Sequence, residues 1–168
     1  NDKITSQDGD DVILGDNGKA IFEGNILVRI ESTFADFAPL LNSVPVTIAY
    51  KDTIKAGSGR NIVFGGNGDD EITAGDGDSV ILGDNGLALF DAEGRRVSIQ
   101  STDVAYGGND SIMIESGNHV LMGGSFADKI VAGGGNDVIL GDNGLALYDD
   151  GKMTSVRSAW TEHDGIDD

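Results

Sequence analysis

Gly65-Gly66-Asn67-Gly68-Asp69-Asp70-Glu71-Ile72-Thr73 is the stretch of sequence that decides the fold. It joins a glycine-rich turn ending in aspartate to a very short β-prone segment with one large apolar residue. The same frame continues nine residues on as 74–82, and then as Gly83-Asp84-Asn85-Gly86. A strand of about three residues cannot be stable alone, so the pattern predicts units that stack on one another.

Two slots of the nine-residue unit carry the pattern: the aspartate at position 6 and the apolar residue at position 8. Position 6 holds Asp2, Asp11, Asp52, Asn61, Asp70, Ser79, Asp110, His119, Asp128, Asp137 and Asp168. Position 8 is apolar in each of these units that is long enough to show it: Ile4, Ile13, Ile54, Val63, Ile72, Ile81, Ile112, Leu121, Ile130 and Ile139. We expect the position-8 side chains to fill a thin interior between two parallel sheets.

Three further units break the pattern. Position 6 becomes Ala20, Ala88 or Ala146, and position 8 becomes Phe22, Phe90 or Tyr148. We expect these alanines to end each set of ligands and the aromatic residues to be core.

Insertions follow these three units, at residues 24–46, 92–104 and 150–162. Each opens with a glycine-bearing turn, and a β-prone stretch follows, which is a hairpin signal. Ile81-Leu82-Gly83-Asp84-Asn85-Gly86 returns 58 residues later at 139–144. The sequence therefore predicts an all-β fold in which 1–168 form one continuous array, interrupted by hairpins about every 58 residues. We expect the chain to be an excerpt of a longer repeat protein.

The net charge of the chain limits the kinds of molecule that it can bind. The chain has 29 acidic and 11 basic residues and a net charge of -18. Such a charge opposes a compact state unless something neutralises it, and it disfavours nucleic acid and anionic membranes as partners. No apolar run is long enough to cross a membrane. There is no cysteine, so metal ions rather than disulfides are the expected staples.

The chemistry of the unit favours calcium. Glycines allow positive φ and tight turns, which aim carbonyl oxygens into the gap between stacked turns, where the position-6 carboxylates also point. Calcium is a hard cation that takes about six to eight oxygen ligands. One pattern thus predicts both the core and the ligand cage.

On these motifs the sequence resembles the RTX (repeats-in-toxin) family, whose fold is a parallel β-roll. The resemblance implies a solenoid of nine-residue units with 18 residues per coil and several calcium ions between turns 18 residues apart. It implies one side stacking 47–55, 65–73 and 83–91, and likewise 105–113, 123–131 and 141–149. The other side stacks 56–64 on 74–82 and 114–122 on 132–140.

Carried over by position, the resemblance predicts three best sites and an equivalent one at the start of the chain. They pair Asp70 with the Gly83 turn, Asp110 with Asp128, Asp128 with the Gly141 turn, and Asp2 with the Gly15 turn. The full set of predicted metal ligands is Asp2, Asp11, Asp16, Asn17, Asp52, Gly65, Asn67, Gly68, Asp70, Gly83, Asp84, Asn85, Asp110, Gly123, Ser125, Asp128, Asp137, Gly141, Asp142 and Asn143.

Several residues leave alternatives open. Asn61, Ser79 and His119 weaken the second side of the roll as a calcium binder. Asp16, Asp84 and Asp142 fit either ligands or turn residues that bond their own backbone. We interpret Asp10, Asp69 and Asp78 as background charge, and His119 and His163 as plain polar surface residues, because no zinc spacing surrounds either histidine.

The sequence favours a calcium-binding structural or adhesive repeat module of a large secreted or cell-surface bacterial protein. We expect it to fold and rigidify on extracellular calcium, with stacking into an oligomer or an end-to-end fibre as a secondary expectation. The alternative is the accessory region of a secreted enzyme or toxin whose active domain lies outside this segment. No metalloprotease or nucleophile-elbow motif is present, so we expect no enzymatic activity in the segment itself.

Overall fold

A computed structural model describes residues 1–33 and 50–159. These residues form strands and turns without any helix, so none of them makes a helix that could cross a membrane. The strands are Lys3–Thr5 (β1), Val12–Leu14 (β2), Gly18–Glu23 (β3), Ile26–Ser32 (β4), Thr53–Ala56 (β5), Ile62–Phe64 (β6), Glu71–Ala74 (β7), Val80–Leu82 (β8), Gly86–Phe90 (β9), Arg96–Ser101 (β10), Ser111–Ile114 (β11), Val120–Gly124 (β12), Lys129–Val131 (β13), Val138–Asp142 (β14), Gly144–Asp149 (β15) and Lys152–Ser158 (β16). Most of the first insertion, His163 and Asp168 lie outside the described residues.

Two five-stranded parallel sheets form a roll. The first sheet has the order β1-β5-β7-β11-β13, and the second has the order β2-β6-β8-β12-β14. Position-8 residues stand side by side in each sheet, as Ile54 does with Ile72 and Val63 with Ile81. Seven of them form one buried cluster between the sheets: Ile13, Ile54, Val63, Ile72, Ile81, Ile112 and Leu121. The predicted all-β class with parallel sheets is confirmed.

The spacing between neighbouring strands shows how the insertions fit the roll. Position-6 residues in adjacent coils are 18 residues apart at Asp52 and Asp70, but 40 apart at Asp70 and Asp110 and 50 apart at Asp2 and Asp52. The longer steps occur where a hairpin intervenes. The register of position-8 residues is nevertheless continuous across them, since Ile72 pairs with Ile112. The hairpins therefore leave the roll and return without shifting it.

The hairpins make a third sheet, called here the hairpin sheet. It is antiparallel, with the order β16-β15-β10-β9-β4-β3. Its strands β3, β9 and β15 belong to the units with alanine at position 6. The expectation that 83–91 and 141–149 continue the first side of the roll is therefore wrong: Gly86–Phe90 pairs with β10 and β4, and Gly144–Asp149 pairs with β10 and β16.

A second apolar core explains the position of the hairpin sheet. One face of the second sheet points into the roll, and its other face, which includes Phe64, Val80 and Leu82, packs against Ala88 and Ile99 of the hairpin sheet. Strands β6 and β8 are consequently buried on both faces. The molecule has three layers, with the second sheet in the middle.

Two of the three alanines are core residues, and Ala20 in the edge strand β3 is exposed. Ala88 and Ala146 are both 0% exposed between the hairpin sheet and the second sheet. Their strands face the second core, and the prediction that the alanines end each set of ligands stays a prediction. Phe22, expected in the core, is 58% exposed, since β3 is the edge strand of the hairpin sheet and no further strand covers it.

The Ala88→Asp variant tests this arrangement. We expect it to lower the free energy of unfolding by about 3–5 kcal/mol, because it buries an unpaired carboxylate. Urea unfolding in saturating calcium measures the loss. Ala20→Asp is the matched control: Ala20 occupies the same slot in the exposed edge strand β3, so the change should stay within about 0.5 kcal/mol. If Ala88→Asp instead gained a calcium ion without loss of stability, the slot would be a ligand position after all.

Candidate metal site

The position-6 residues of the first sheet, at the end of their glycine turns, form what we call the first edge: Asp2, Asp52, Asp70, Asp110 and Asp128. Each carboxylate is fixed to the coil before it through its Oδ1 atom. Asp52 accepts from the Asp2 N–H at 2.6 Å, and Asp70 accepts from the Asp52 N–H at 2.8 Å. Asp110 and Asp128 continue the ladder at 2.7 and 2.8 Å. The carboxylates therefore lie in one row along the roll axis.

The other oxygen of each carboxylate has no protein partner. The Oδ2 atoms of Asp52, Asp70, Asp110 and Asp128 are buried and accept no hydrogen bond. Buried acceptors of this kind normally find a partner, because an unsatisfied one costs free energy. A row of four orphaned oxygens on one edge indicates that a ligand supplies what the protein does not.

A backbone carbonyl oxygen lies beside each of these carboxylates. A Cβ atom on Gly65 would be 2.6 Å from Asp70 Oδ2 and would collide with the Gly83 carbonyl oxygen. The same arrangement recurs at Gly15, Gly83 and Gly123, where the paired oxygens are Asp52 Oδ2 with Gly65 O, Asp110 Oδ2 with Gly123 O, and Asp128 Oδ2 with Gly141 O. We call these four places the cradles. Only glycine leaves the space open, and each cradle presents hard oxygen donors, which fit calcium.

The electrostatics of the row also favour a cation. Burial raises the pKa of Asp110 to about 9, and the charges of Asp84, Asp70 and Asp128 add to the effect. Burial likewise raises the pKa of Asp70 to about 7 and that of Asp128 to about 6. The row therefore has to take up protons or bind a cation. Calcium, when bound, neutralises the carboxylates and completes its own shell with carbonyl oxygens.

The carboxylates are not clustered. No group of three or more His, Cys, Asp or Glu side chains within 1–33 and 50–159 comes close enough to hold a metal ion by itself. Stacking explains this, because each coil contributes one position-6 carboxylate to the row. Most ligand oxygens in a cradle would therefore come from the backbone, as the glycine-rich turns allow.

The predicted pairs are placed as follows. Asp70 Oδ2 lies beside the Gly83 carbonyl oxygen, and Asp128 Oδ2 lies beside the Gly141 carbonyl oxygen. The Asp110 N–H donates a hydrogen bond to Asp128 Oδ1. At Gly15 the adjacent carboxylate is that of Asp52, whereas Asp2 lies at the exposed end of the ladder and donates its N–H. The carbonyl paired with Asp52 is that of Gly65, so the predicted pairing of Asp2 with the Gly15 turn stays a prediction, and the charge of Asp2 acts on Asp16 of that turn.

The aspartates of the Gly-Asp-Asn-Gly turns bridge neighbouring coils. Asp16 Oδ2 accepts from the Asn67 N–H at 2.7 Å. Asp84 is buried and accepts from the N–H groups of Gly108 and Ser125, one on each oxygen. The alternative that these two aspartates bond their own backbone is therefore wrong. Asp142 is exposed and pairs in register with Gly124.

The other predicted ligands hold the turns together. Gly68 has a φ of 120°, and a Cβ on it would collide with the Tyr50 carbonyl. Ser125 Oγ donates to the Val104 carbonyl at 2.6 Å, and the side-chain amides of Asn85 and Asn143 donate to Tyr106 O and Ser125 Oγ. The Asn17 carbonyl accepts from the Thr33 N–H.

Aspartates one place before position 6 were missed by the sequence argument. Asp10, Asp69 and Asp78, interpreted as background charge, accept backbone N–H groups of the next coil from Arg60, Asn109 and Asn118, respectively. The Arg60 side chain, followed by its backbone N–H, lowers the pKa of Asp10, and the backbone hydrogen bonds from Asn109 and Asn118 lower the pKa of Asp69 and Asp78. The recurrence of Asp or Asn at position 5 was the available signal, and it marks an outer ladder that is distinct from the metal row.

The position-6 residues of the second sheet form what we call the second edge: Asp11, Asn61, Ser79, His119 and Asp137. Asp11 Oδ2 is buried without a partner, and Asp137 Oδ1 accepts from the His119 N–H. His119, expected on the surface, is only 1% exposed. That expectation is wrong because the imidazole occupies an inward-facing slot of the roll.

Stacked coils, a row of orphaned carboxylate oxygens and glycine cradles define a class of protein, a parallel β-roll built to bind hard cations. The model of the RTX calcium-binding nonapeptide repeat matches residues 1–19, 48–86 and 114–144 in four copies, which is more than half of the chain. The chain belongs to this family, and calcium is its cation. No curated protein and no solved structure matches the chain. The segments outside the family match include β4 and β10 of the hairpin sheet.

The raised pKa values predict how the calcium-free chain responds to pH. Asp70, Asp110 and Asp128 have folded-state pKa values of about 7, 9 and 6, above the value of about 3.9 expected in an unfolded chain. The folded state therefore binds more protons, and stability is full near pH 4 and falls as pH rises through about 9. Far-UV circular dichroism of metal-stripped protein across this range measures the effect.

Saturating calcium is the control for this pH series. Calcium binds deprotonated carboxylates, so the fall in stability on raising pH should disappear. A calcium-free chain whose stability increased between pH 5 and 9 would contradict the electrostatic account of the row.

Proposed function

We propose that this chain is a calcium-rigidified structural or adhesive module of a large secreted or cell-surface bacterial protein. The observation that carries the proposal is the row of four cradles along the first edge, each with an orphaned Oδ2 atom and a glycine carbonyl. The sites repeat along the axis of the roll instead of meeting in one cleft. Such a distribution serves to hold a long element rigid, and it supports the interpretation that the segment itself is not an enzyme.

Folding and metal binding are coupled in this proposal. The cradles exist only when coils are stacked, so the binding free energy of calcium is also folding free energy. Without calcium at neutral pH, the chain of net charge -18 repels itself and remains open. Extracellular calcium modules bind with dissociation constants of about 10⁻⁴ to 10⁻³ M, which suits a protein that folds only after export.

The repeating unit of the module is an 18-residue coil, lengthened by a hairpin about every 58 residues. The end strands β13 and β14 leave Val131 46% and Ile139 47% exposed, and their outer edges pair with no further strand among the described residues. Another coil can continue both sheets in the same register. This geometry supports extension by further repeats, or end-to-end stacking of copies into a fibre.

Calcium titration tests the proposal. We expect far-UV circular dichroism to change from disordered to β-type as calcium is added, and magnesium to be ineffective because it demands a tighter octahedral shell. Asp70→Ala and Asp128→Ala should each lower the calcium stoichiometry in isothermal titration and shift the folding midpoint to higher calcium.

Glu71→Gln is the matched control. It removes the same charge one residue from Asp70, from a strand position that is half-exposed and outside the cradle. The stoichiometry should be unchanged in this variant. If Asp70→Ala and Asp128→Ala bound as much calcium as the unmodified chain, the assignment of the first edge would be wrong.

A further inference from the structure

Between Asn61 and His119, the second edge repeats the backbone ladder of the first edge with neutral side chains. Asn61 Oδ1 accepts from the Asp11 N–H at 3.0 Å, Ser79 Oγ accepts from the Asn61 N–H at 3.2 Å, and His119 Nδ1 accepts from the Ser79 N–H at 3.2 Å. An amide, a hydroxyl and an imidazole therefore each do what Oδ1 does on the first edge. Asn61, Ser79 and His119 are 0–1% exposed, so the three groups belong to the interior of the roll.

The two edges differ in the second polar function of each side chain. On the first edge that function is an orphaned carboxylate oxygen. From Asn61 to His119 on the second edge it is a hydrogen-bond donor: Asn61 Nδ2 donates to the Gly57 carbonyl at 2.8 Å, and Ser79 Oγ donates to the Gly59 carbonyl at 3.2 Å. Carbonyl oxygens of the glycine turns, which a cation would otherwise use, are thereby already paired.

His119 also presents a hydrogen-bond donor, rather than an acceptor, as its second polar function. Because Nδ1 accepts a hydrogen bond, the proton of the neutral imidazole is on Nε2. Nε2 is buried and makes no hydrogen bond to the protein. A Cβ on Gly117 would be 2.6 Å from Nε2 and would collide with the Gly77 carbonyl oxygen. Gly77 is the counterpart of Gly59, one coil further on. A cation at this place would meet the positive end of the N–H dipole.

We infer that the second edge from Asn61 to His119 is a metal-free seam, in which side-chain N–H and O–H groups take the place that calcium has on the first edge. The inference rests on the proposed function, since it assigns the ions to one edge of the roll. The seam adds no buried negative charge to a chain that already carries -18. It also belongs to the middle sheet, which the hairpin sheet covers on its outer face.

Removal of one seam donor tests the inference on the whole chain. Native mass spectrometry and isothermal titration in saturating calcium count the bound ions. We expect Ser79→Ala to bind as many ions as the unmodified chain while melting at a lower temperature, because the Gly59 carbonyl loses its donor. Loss of an ion from Ser79→Ala would overturn the inference.

Conversion of the seam to carboxylates tests it from the other side. The N61D/S79D/H119D variant restores the orphaned oxygens, so we expect it to bind one to three additional ions and to need more calcium to reach the same folded fraction. Failure to gain any ion would overturn the inference, since side-chain chemistry would then not be what excludes calcium.

The two possible failures give different patterns. If the proposed function is wrong, Asp70→Ala keeps the full number of ions, and the failure appears on the first edge. If only the seam is wrong, Asp70→Ala loses an ion as expected and Ser79→Ala loses one as well. If the unmodified chain bound no calcium at all, the test of the seam would be the melting temperature in metal-free buffer. Ser79→Ala should then melt below the unmodified chain, and an equal melting temperature would overturn the inference.

Discussion

The structure depends on the repulsion between carboxylates that stacking forces into one row. Neighbouring strands are about 4.8 Å apart, and two unit charges at that distance repel by about 3.5 kcal/mol at an effective dielectric constant of about 20. The ladder of Oδ1 hydrogen bonds fixes the row, so the side chains cannot turn away to relieve the repulsion. Neutralisation of the row, by protons at low pH or by a cation between the coils at higher pH, relieves this repulsion.

The rest of the fold limits how much neutralisation is needed. The hairpin sheet supplies a second apolar core, which includes Ala88 and Ile99 packed on Phe64. A simple roll has only the thin interior between its two sheets, and the third layer adds burial without adding charge. The seam from Asn61 to His119, which we propose is metal-free, belongs to the covered middle sheet, whereas the first edge belongs to the outer parallel sheet. Most of the position-6 carboxylates thus lie on the first sheet, and the additional apolar packing lies on the second sheet.

Much of the fold could be predicted because it is local and periodic. The position-8 rows follow from a repeat of nine residues, and the placement of Asp70 with the Gly83 turn follows from the same arithmetic. The third layer could not be predicted in this way. Ala88 fills a position-6 slot, which made it look like a decayed ligand, and only the long-range pairing of β9 with β4 shows that its strand leaves the roll.

His119 shows a different limit. A histidine in a polar, glycine-rich stretch is ordinarily a surface residue. The sequence does not reveal that the ladder requires only one hydrogen-bond acceptor from each position-6 side chain, a role that Nδ1 of His119 fills. Asn61 and Ser79 meet that requirement as well, so three dissimilar residues are equivalent in the structure. The outer ladder of Asp69 and Asp78 was missed for a related reason, because turn aspartates are usually solvated.

Anomalous diffraction from a crystal grown in calcium is the most direct test of the central claim. The account predicts a row of ions beside the Oδ2 atoms of Asp52, Asp70, Asp110 and Asp128, each next to a glycine carbonyl, and no ion between Asn61 and His119. Anomalous maps without peaks in the first-edge cradles, with the coils still stacked, would contradict it.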